Sequence, residues 1–321
     1  MDESLADPAP LLGRRIAVTG ASGFIGSKLV DRLCLEGARV AALARTRGML
    51  ASSSSPAGFD FFTCDVRDPA QIRRALHAFE PEIVYHFATH PDGRESAEQA
   101  RAAIETNVAG TLHTLEAFRA AKGSLFLYGD SCKVYGNSPV PHRESSPLDP
   151  TSSYATSKAA GWHLSRLHAR LYGFAAVSLR PTLIYGPTQA RNVISFAIER
   201  MLEGDRILRL DGGNQTRDPL FVDDAIDAFV AAARRGRALN GRVVALGGGR
   251  EITVLELVRT IARLFDREVE VIACAKEARP TEMWRSFCDN REAASMLGWK
   301  PKIDLESGLS LCIQASIVSR S

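Results

Sequence analysis

The chain has 321 residues, 45% apolar and 24% charged, and its basic residues exceed its acidic ones by 40 − 37 = 3. That balance suits a soluble globular protein of one large or two ordinary domains with a sizeable core. No block of like charges marks a nucleic-acid or membrane surface and no apolar run has the length of a membrane span, so the expected partner is a small molecule. Six cysteines, at 34, 64, 132, 274, 288 and 312, include no Cys-x-x-Cys pair and no His at metal spacing, which predicts reduced thiols in a cytoplasmic protein without a metal.

Residues 1–12 are rich in Asp, Ala and Pro and lack the basic start and apolar stretch of a secretion signal, so they read as a disordered tail. A short apolar strand at 15–19 leads through a glycine turn into a helix whose apolar positions Phe24, Ile25, Leu29, Val30 and Leu33 recur at helical spacing. Gly37 ends that helix and 38–44 reads as a second strand. Residues 49–58 form a Ser-rich, Pro-bearing loop expected to be mobile. The alternation continues with a strand at 59–65, a helix at 69–79, a strand at 83–87, a long helix from about 96 to 122 and a strand at 125–128. A helix at about 151–172, a strand at 175–180, a helix at about 222–235 and a strand at 242–246 complete it.

Strands separated by helices imply an α/β fold with a doubly wound parallel sheet of the Rossmann type. Beyond Arg180, prolines and glycines break the chain into shorter pieces, which predicts a smaller lobe over the carboxyl ends of the strands. The expected division is a dinucleotide-binding domain at 13–182 plus about 220–248, and a substrate-binding lobe at about 183–219 plus 249–321.

The chemistry is carried by two motifs in order. Tyr154 and Lys158 stand one helical turn apart in Ser152-Ser-Tyr-Ala-Thr-Ser-Lys158. A phenol titrates near pH 10 in water, and a neighbouring ammonium with a cationic nicotinamide ring would bring it towards neutrality. Tyr154 would then exchange a proton with a substrate oxygen while the cofactor exchanges a hydride with the same carbon.

Upstream lies Thr19-Gly-Ala-Ser-Gly-Phe-Ile-Gly26. Gly20 permits the tight turn, Gly23 lets amides approach a pyrophosphate, and Gly26 allows close helix packing, with Phe24 and Ile25 at the helix N-terminus. The position about 20 residues on, acidic where NAD is selected, here reads Ala44-Arg-Thr-Arg47. Arg45 or Arg47 could clamp a 2′-phosphate, so NADP(H) is expected over NAD(H), with a permissive site as the alternative. Asp65 and Val66 could read the adenine edge; Asp65 could instead cap the next helix.

In these motifs, together with Asp65-Val-Arg-Asp68, His86-Phe-Ala-Thr89, Thr106-Asn-Val-Ala-Gly-Thr111, Ser131-Cys-Lys-Val-Tyr-Gly136, Leu179-Arg-Pro-Thr-Leu-Ile-Tyr-Gly-Pro187, Arg217-Asp218, Arg279-Pro280 and Leu297-Gly-Trp-Lys-Pro301, the chain resembles the extended short-chain dehydrogenase/reductases that modify nucleotide sugars. That family comprises epimerases, 4,6-dehydratases and 4-ketoreductases. The resemblance implies that Ser131 hydrogen-bonds the reacting sugar oxygen, Tyr154 is the acid/base, Lys158 holds the nicotinamide ribose, and Asn107 supports the network. Ala88 joins the cofactor-binding set. Arg217, Arg279 and Asn192 would bind the diphosphate of a nucleotide-diphosphate sugar, and two long helices would pair two subunits into a homodimer.

Three departures from the pattern stand out. Leu183 replaces an amide that contacts the diphosphate in many members. Cys132-Lys133 replaces the acidic residues of the dehydratases, leaving these two as a catalytic pair, as specificity determinants or as packing. Ala44-Arg45 is similar to the NADP-dependent GDP-mannose branch, as is Arg279-Pro-Thr-Glu282.

The leading expectation is an NADP-dependent 4-keto reduction of a nucleotide-linked sugar, because net reduction consumes a soluble donor. An epimerase or dehydratase with recycled NAD(P) is the second reading. A non-catalytic cofactor-binding protein is the third.

Overall fold

The computed structural model describes residues 9–52, 58–91, 95–190, 192–265, 268–274 and 281–320. The alternation runs β1 (Arg15–Thr19), α1 (Phe24–Leu35), β2 (Arg39–Ala44), β3 (Asp60–Thr63), α2 (Pro69–Phe79), β4 (Ile83–His86), α3 (Ala97–Ala103), α4 (Gly110–Ala120), β5 (Leu125–Gly129), α5 (Ser153–Tyr172) and β6 (Ala175–Pro181). After it come β7 (Leu183–Tyr185), α6 (Val193–Leu202), β8 (Ile207–Asp211), β9 (Thr216–Arg217), β10 (Pro219–Phe221), α7 (Val222–Arg235) and β11 (Val243–Leu246). The chain ends through β12 (Ile252–Thr253), α8 (Val254–Leu264), β13 (Glu270–Cys274), α9 (Arg291–Leu297) and α10 (Leu305–Val318).

Seven strands form one parallel sheet in the order β11-β6-β5-β4-β1-β2-β3. Strands covered on both faces read as continuous apolar runs, which is why Ile16-Ala-Val and Val40-Ala-Ala-Leu carry no polar alternation. Alternate residues still face opposite sides. Ile16, Val18, Val40, Ala42, Ile83 and Tyr85 pack with α1 and α7, whereas Ala17, Ala41, Leu43, Val84, Phe126 and Tyr128 pack with α2, α4 and α5. The strand order reverses between β1 and β4, and that reversal opens a crevice at the carboxyl ends of the strands.

The pieces after Arg180 pair locally: β7 with β10 and β8 with β13 in parallel, β9 with β12 antiparallel. Their helices share the core on the α1 and α7 side through Ile194, Ile198, Leu257, Ile261, Leu309 and Ile313. Asp224 on α7 accepts the amides of Lys302 and Ile303 at 3.0 and 2.9 Å, and its carbonyl accepts Trp299 Nε1, tying the C-terminal segment to the sheet.

Two sequence expectations change. Of the tail predicted at 1–12, residues 9–12 are held against the fold: Leu11 is buried in the core and the Ala9 amide donates to the Arg234 carbonyl, because an apolar side chain next to the sheet gains more from burial than from water. Residues 1–8 lie outside the described residues, as does 53–57 of the Ser-rich loop, whose first part is a 3₁₀ turn at Gly48–Ser52. The long helix predicted at 96–122 is also not uniform. Between α3 and α4 it widens into a π-helical segment, Ile104–Ala109, which contains Asn107. A π-turn inserts one residue into the helical ladder and re-aims the side chains that follow.

Gly161 on α5 lets that helix close on this segment. A Cβ there would run into the Tyr128 hydroxyl and stand 2.9 Å from the Asn107 carbonyl. Among the described residues no helix is long and apolar enough to cross a membrane.

Candidate active site

The crevice is lined first by the turn between β1 and α1. Gly20 has φ +68°, and a Cβ on it would stand 2.6 Å from the Ala88 amide, so the turn and the end of β4 are in backbone contact. A Cβ on Gly26 would meet the Gly20 carbonyl. Gly23 is the N-cap of α1 and makes no side-chain cap, which leaves the first amides, those of Phe24, Ile25 and Gly26, open towards the crevice. An open helix N-terminus behind a glycine turn fits a pyrophosphate.

Arg45 and Arg47 are exposed just beyond β2, and Arg47 lies over the Phe61 ring at 4.8 Å from its centroid. Asp65 follows β3 and accepts Arg67 through its backbone and guanidinium, at 2.6 Å for the shortest contact. The alternative that Asp65 caps a helix is corrected: Asp68 is the N-cap of α2, accepting Ala70 and Gln71 amides, because it stands directly before the Pro69 that opens the helix. Val66 is buried, and its backbone carbonyl contacts His113 Nδ1 at 3.0 Å. This set fits a dinucleotide, with close backbone where a pyrophosphate would lie and the exposed Arg45 and Arg47 beyond β2.

Deeper in the crevice, α5 presents Tyr154 and Lys158. Its N-cap is Ser152, whose side chain accepts the Ala155 amide at 3.1 Å. Lys158 keeps 2% of its surface, with Nζ 4.3 Å from the Tyr128 ring centroid. Burial pulls this ammonium down to about 8, opposed by the charge of Asp130. Tyr154 is partly buried and faces Lys133, whose Nζ lies 5.5 Å from its ring centroid.

The expectation of an acidified phenol is not met by the side chains alone. Burial pushes Tyr154 up to about 12, the hydroxyls of Ser131 and Thr89 pull it down, and Asp130 and Cys132 push it further up. The ammonium of Lys158 sits over Tyr128 and does not offset that burial.

Ser131 begins the turn after β5, where its Oγ also accepts the Lys133 amide at 3.3 Å. Cys132 is buried against Ser286 Oγ at 3.4 Å, and burial pushes its thiol up. It packs with Cys288, Met283 and Ala245. Cys132 and Lys133 therefore point apart: the thiol faces the core and the ammonium faces the phenol.

Asn107 is buried, with its Nδ2 donating to Ser157 Oγ at 2.8 Å and its Oδ1 accepting the His90 amide at 2.7 Å and Thr89 Oγ1 at 3.0 Å. It joins the π-helical segment to α5 and to the loop after β4. Sequence reasoning assigned no role to Thr89, Ser157, His86 or Asp130. His86 is held between Thr19 Oγ1 at 2.9 Å and Thr111 Oγ1 at 3.0 Å, and burial, with Lys158 nearby, lowers it to about 3, so it is neutral. Thr89 and His86 stand in a motif that the family resemblance already marked. Asp130 was adjacent to Ser131 but had no motif of its own.

Of the expected diphosphate ligands, Asn192 caps α6 through Oδ1 to the Ser195 amide at 2.8 Å, and its buried Nδ2 has no acceptor among the described residues. Arg217 on β9 donates to Glu282 at 2.6 Å and to the Met283 carbonyl at 2.9 Å. Arg279 lies outside the described residues. No cluster of three metal-ligating side chains occurs among the described residues.

A lysine whose folded value lies below its unfolded one of about 10.4 costs stability at neutral pH, and the cost fades as pH rises from about 8 towards that value. Lys158→Met should therefore be more stable than wild type at pH 7. Urea unfolding should show that advantage shrinking by about 3 kcal/mol between pH 7 and pH 10.5.

Residues 16–247 match the NAD dependent epimerase/dehydratase family. UDP-glucose 4-epimerase of Mycolicibacterium smegmatis is 33% identical over 94% of this chain and 97% of its own length. dTDP-glucose 4,6-dehydratase of Xanthomonas campestris is 31% identical over 92% of this chain and 91% of its own. UDP-glucose 4-epimerase of Thermus thermophilus, in complex with NAD, shares 30% of its sequence and superposes with a TM-score of 0.81 over 94% of this chain and 98% of that one. UDP-glucuronic acid 4-epimerase of Bacillus cereus, in complex with UDP-glucuronic acid and NAD, is 25% identical with a TM-score of 0.86 over 94% and 99%. With the sheet, the glycine turn and the Tyr154–Lys158 helix in place, the chain belongs to the NAD-dependent epimerase/dehydratase family of extended short-chain dehydrogenase/reductases, enzymes that act on nucleotide sugars.

Proposed function

We propose that this enzyme exchanges hydride at C4 of a nucleotide-diphosphate sugar and works, with NADP(H), as a 4-keto reductase. The observation that carries the chemistry is the buried centre in which Tyr154 shares hydroxyl contacts with Ser131 and Thr89 while Lys158 stands one turn along the same helix. The bound nicotinamide supplies the hydride. Ser131 Oγ donates to the C4 carbonyl oxygen, Tyr154 gives that oxygen its proton, the hydroxyls of Ser131 and Thr89 stabilise the phenolate left behind, and Lys158 would hold the nicotinamide ribose. Ketone, hydride and proton together give a secondary alcohol.

Gly20, Gly23, Phe24, Ile25 and Gly26 would hold the pyrophosphate, Asp65 and Val66 the adenine, and Ala88 the inner face of the cofactor. Asn192 Nδ2, a buried donor without a partner among the described residues, suits a diphosphate oxygen of the substrate. Arg217 would serve the same diphosphate by exchanging its Glu282 contact for it, and Arg279 is assigned there with it.

Arg45 and Arg47 support NADP(H): both are exposed at the end of β2, where a 2′-phosphate would meet two cations and no carboxylate from that strand end. Dehydration is the less supported chemistry. Positions 132 and 133 supply a buried thiol and a lysine where the family's dehydratases carry acidic residues that take the C5 proton and protonate the leaving C6 hydroxyl. Four-epimerisation is the second reading, favoured by the names of the relatives at 33% and 30% identity. It uses the same centre in both directions, with no net change of cofactor.

Incubation with NADPH and a panel of UDP-, dTDP- and GDP-linked 4-keto sugars, read by mass and NMR, should show stoichiometric NADPH oxidation. Conversion of a UDP-hexose without cofactor consumption would establish the epimerase instead, and cofactor binding without turnover on any substrate would establish a non-catalytic protein. Tyr154→Phe should bind cofactor like wild type and lose about 10²–10⁴ in kcat. Wild-type activity in that variant would remove the phenol from the mechanism.

The Arg45→Ala/Arg47→Ala double variant should weaken NADPH binding at least tenfold, by about 1.4 kcal/mol or more. It should leave NADH binding within about threefold, a contrast that fluorescence titration of both cofactors reads directly. Equal loss for the two cofactors would reject the clamp.

Ile104, Leu167, Leu171 and Tyr172 are exposed apolar side chains on the packed pair of helical segments formed by the π-turn and α5. We assign this face to a homodimer in which two such pairs form a four-helix bundle. Sedimentation equilibrium should give twice the monomer mass, and Leu171→Glu/Tyr172→Glu should halve it; a monomeric wild type would rule the assembly out.

A further inference from the structure

A buried ion pair lies directly behind Ser131. Asp130 Oδ2 accepts Ser178 Oγ and Arg180 Nε, each at 2.8 Å, and its Oδ1 accepts the Ser131 backbone amide at 2.8 Å. The register of β5 and β6 explains the meeting. Tyr128 pairs with Ser178 and Gly129 with Leu179, so Asp130 comes level with Arg180, and alternation puts Ser178 and Arg180 on one face of β6. The Arg180 and Asp130 side chains keep 2% and 0% of their surface, and the guanidinium lies 4.8 Å from the Tyr135 ring centroid. Charges desolvated to this degree are weak contributors to stability, which directs attention to what the pair faces.

We propose that Asp130 is a positioning residue for the Ser131–Tyr154–Lys158 centre: clamped by Arg180 and Ser178, its carboxylate fixes the Ser131 backbone and places one immobile negative charge behind Lys158 and Tyr154. This rests on the roles given to those two residues above. The same charge opposes the burial of Lys158 and raises Tyr154. It thus favours a charged ammonium beside a protonated phenol, the pairing from which a proton is donated.

The charged and titratable groups facing Asp130 come from three elements and the turn between them: Arg180 from β6, Tyr128 from β5, Tyr135 from the turn after β5, and Tyr154 and Lys158 from α5. His86 on β4 faces Lys158, and Lys133 faces Tyr154. Of these, Arg180 alone is bonded to the carboxylate by an ion pair.

The test reads Lys158 directly, by NMR titration of ¹³Cε-labelled lysine with Lys158→Met assigning the resonance, alongside the pH dependence of kcat. Asp130→Asn keeps an acceptor for the Ser131 amide and removes the charge; the Lys158 midpoint and the alkaline limb of kcat should both move down by about one pH unit. Arg180→Gln leaves the carboxylate without its counter-ion and should move both up. If either single variant does not fold, Asp130→Asn/Arg180→Gln leaves no unpaired charge in the core and should still titrate on the acid side of wild type. Folded variants in which the rate falls while the Lys158 midpoint stays at its wild-type value would overturn the proposal and leave the pair a purely structural one. The NMR midpoint needs no turnover, so it decides this inference even if Tyr154→Phe proves active and the C4 chemistry is wrong.

Discussion

An ammonium with almost no access to water has to be balanced by what surrounds it, and the centre of this enzyme is arranged around that requirement. Lys158 is sunk between β4, β5 and α5, over the Tyr128 ring, with the charge of Asp130 opposing its burial. Burial acts in the opposite sense on the two members of the pair, pulling the amine down to about 8 and pushing the phenol up to about 12. The neutral forms of both are favoured by the core; Asp130 opposes that effect for the amine and adds to it for the phenol. Ser131 and Thr89 pull the phenol back, and a positively charged group bound beside it would do the same.

The sheet makes this burial affordable. Strands β1, β4, β5 and β6 end side by side, so His86, Ala88, Ser131 and the Asp130–Arg180 pair all emerge on one edge, and α5 lies across that edge with Tyr154 and Lys158 pointing inward. The π-helical turn then brings Asn107 to Ser157, Thr89 and the His90 amide in a single network. Buried polar groups that are all bonded stiffen a site rather than weaken it. Gly161, where any side chain would strike Tyr128, keeps α5 close enough for this to hold.

The two ends of the crevice differ in character. At the β2 end two exposed arginines stand where an acidic residue is usual in NAD-selective sites. After β5, Cys132 turns into the core against Ser286 and Lys133 turns towards the Tyr154 ring, so neighbours in the chain meet different surroundings. Arg217 is engaged within the protein by the Glu282 carboxylate and the Met283 carbonyl.

Much of this was legible in the chain itself. Apolar runs between helical patterns determined the parallel sheet, because strands covered on both faces have no need of polar alternation. The glycines of 20–26 and the four-residue spacing of Tyr154 and Lys158 marked the two halves of the centre, since a tight turn and one helical turn are local properties. What remained for the tertiary structure was everything that depends on distant segments meeting. The π-turn at Asn107 shows only once the α3–α4 helix is packed on α5. Leu11 was lost in a polar tail until its neighbours in the core were known. Asp130 carries no signal until β6 brings Arg180 beside it, and the titration of Tyr154 follows from burial that no local pattern records. Chain order determines local geometry, whereas desolvation and charge pairing are sums over neighbours that only the fold assembles.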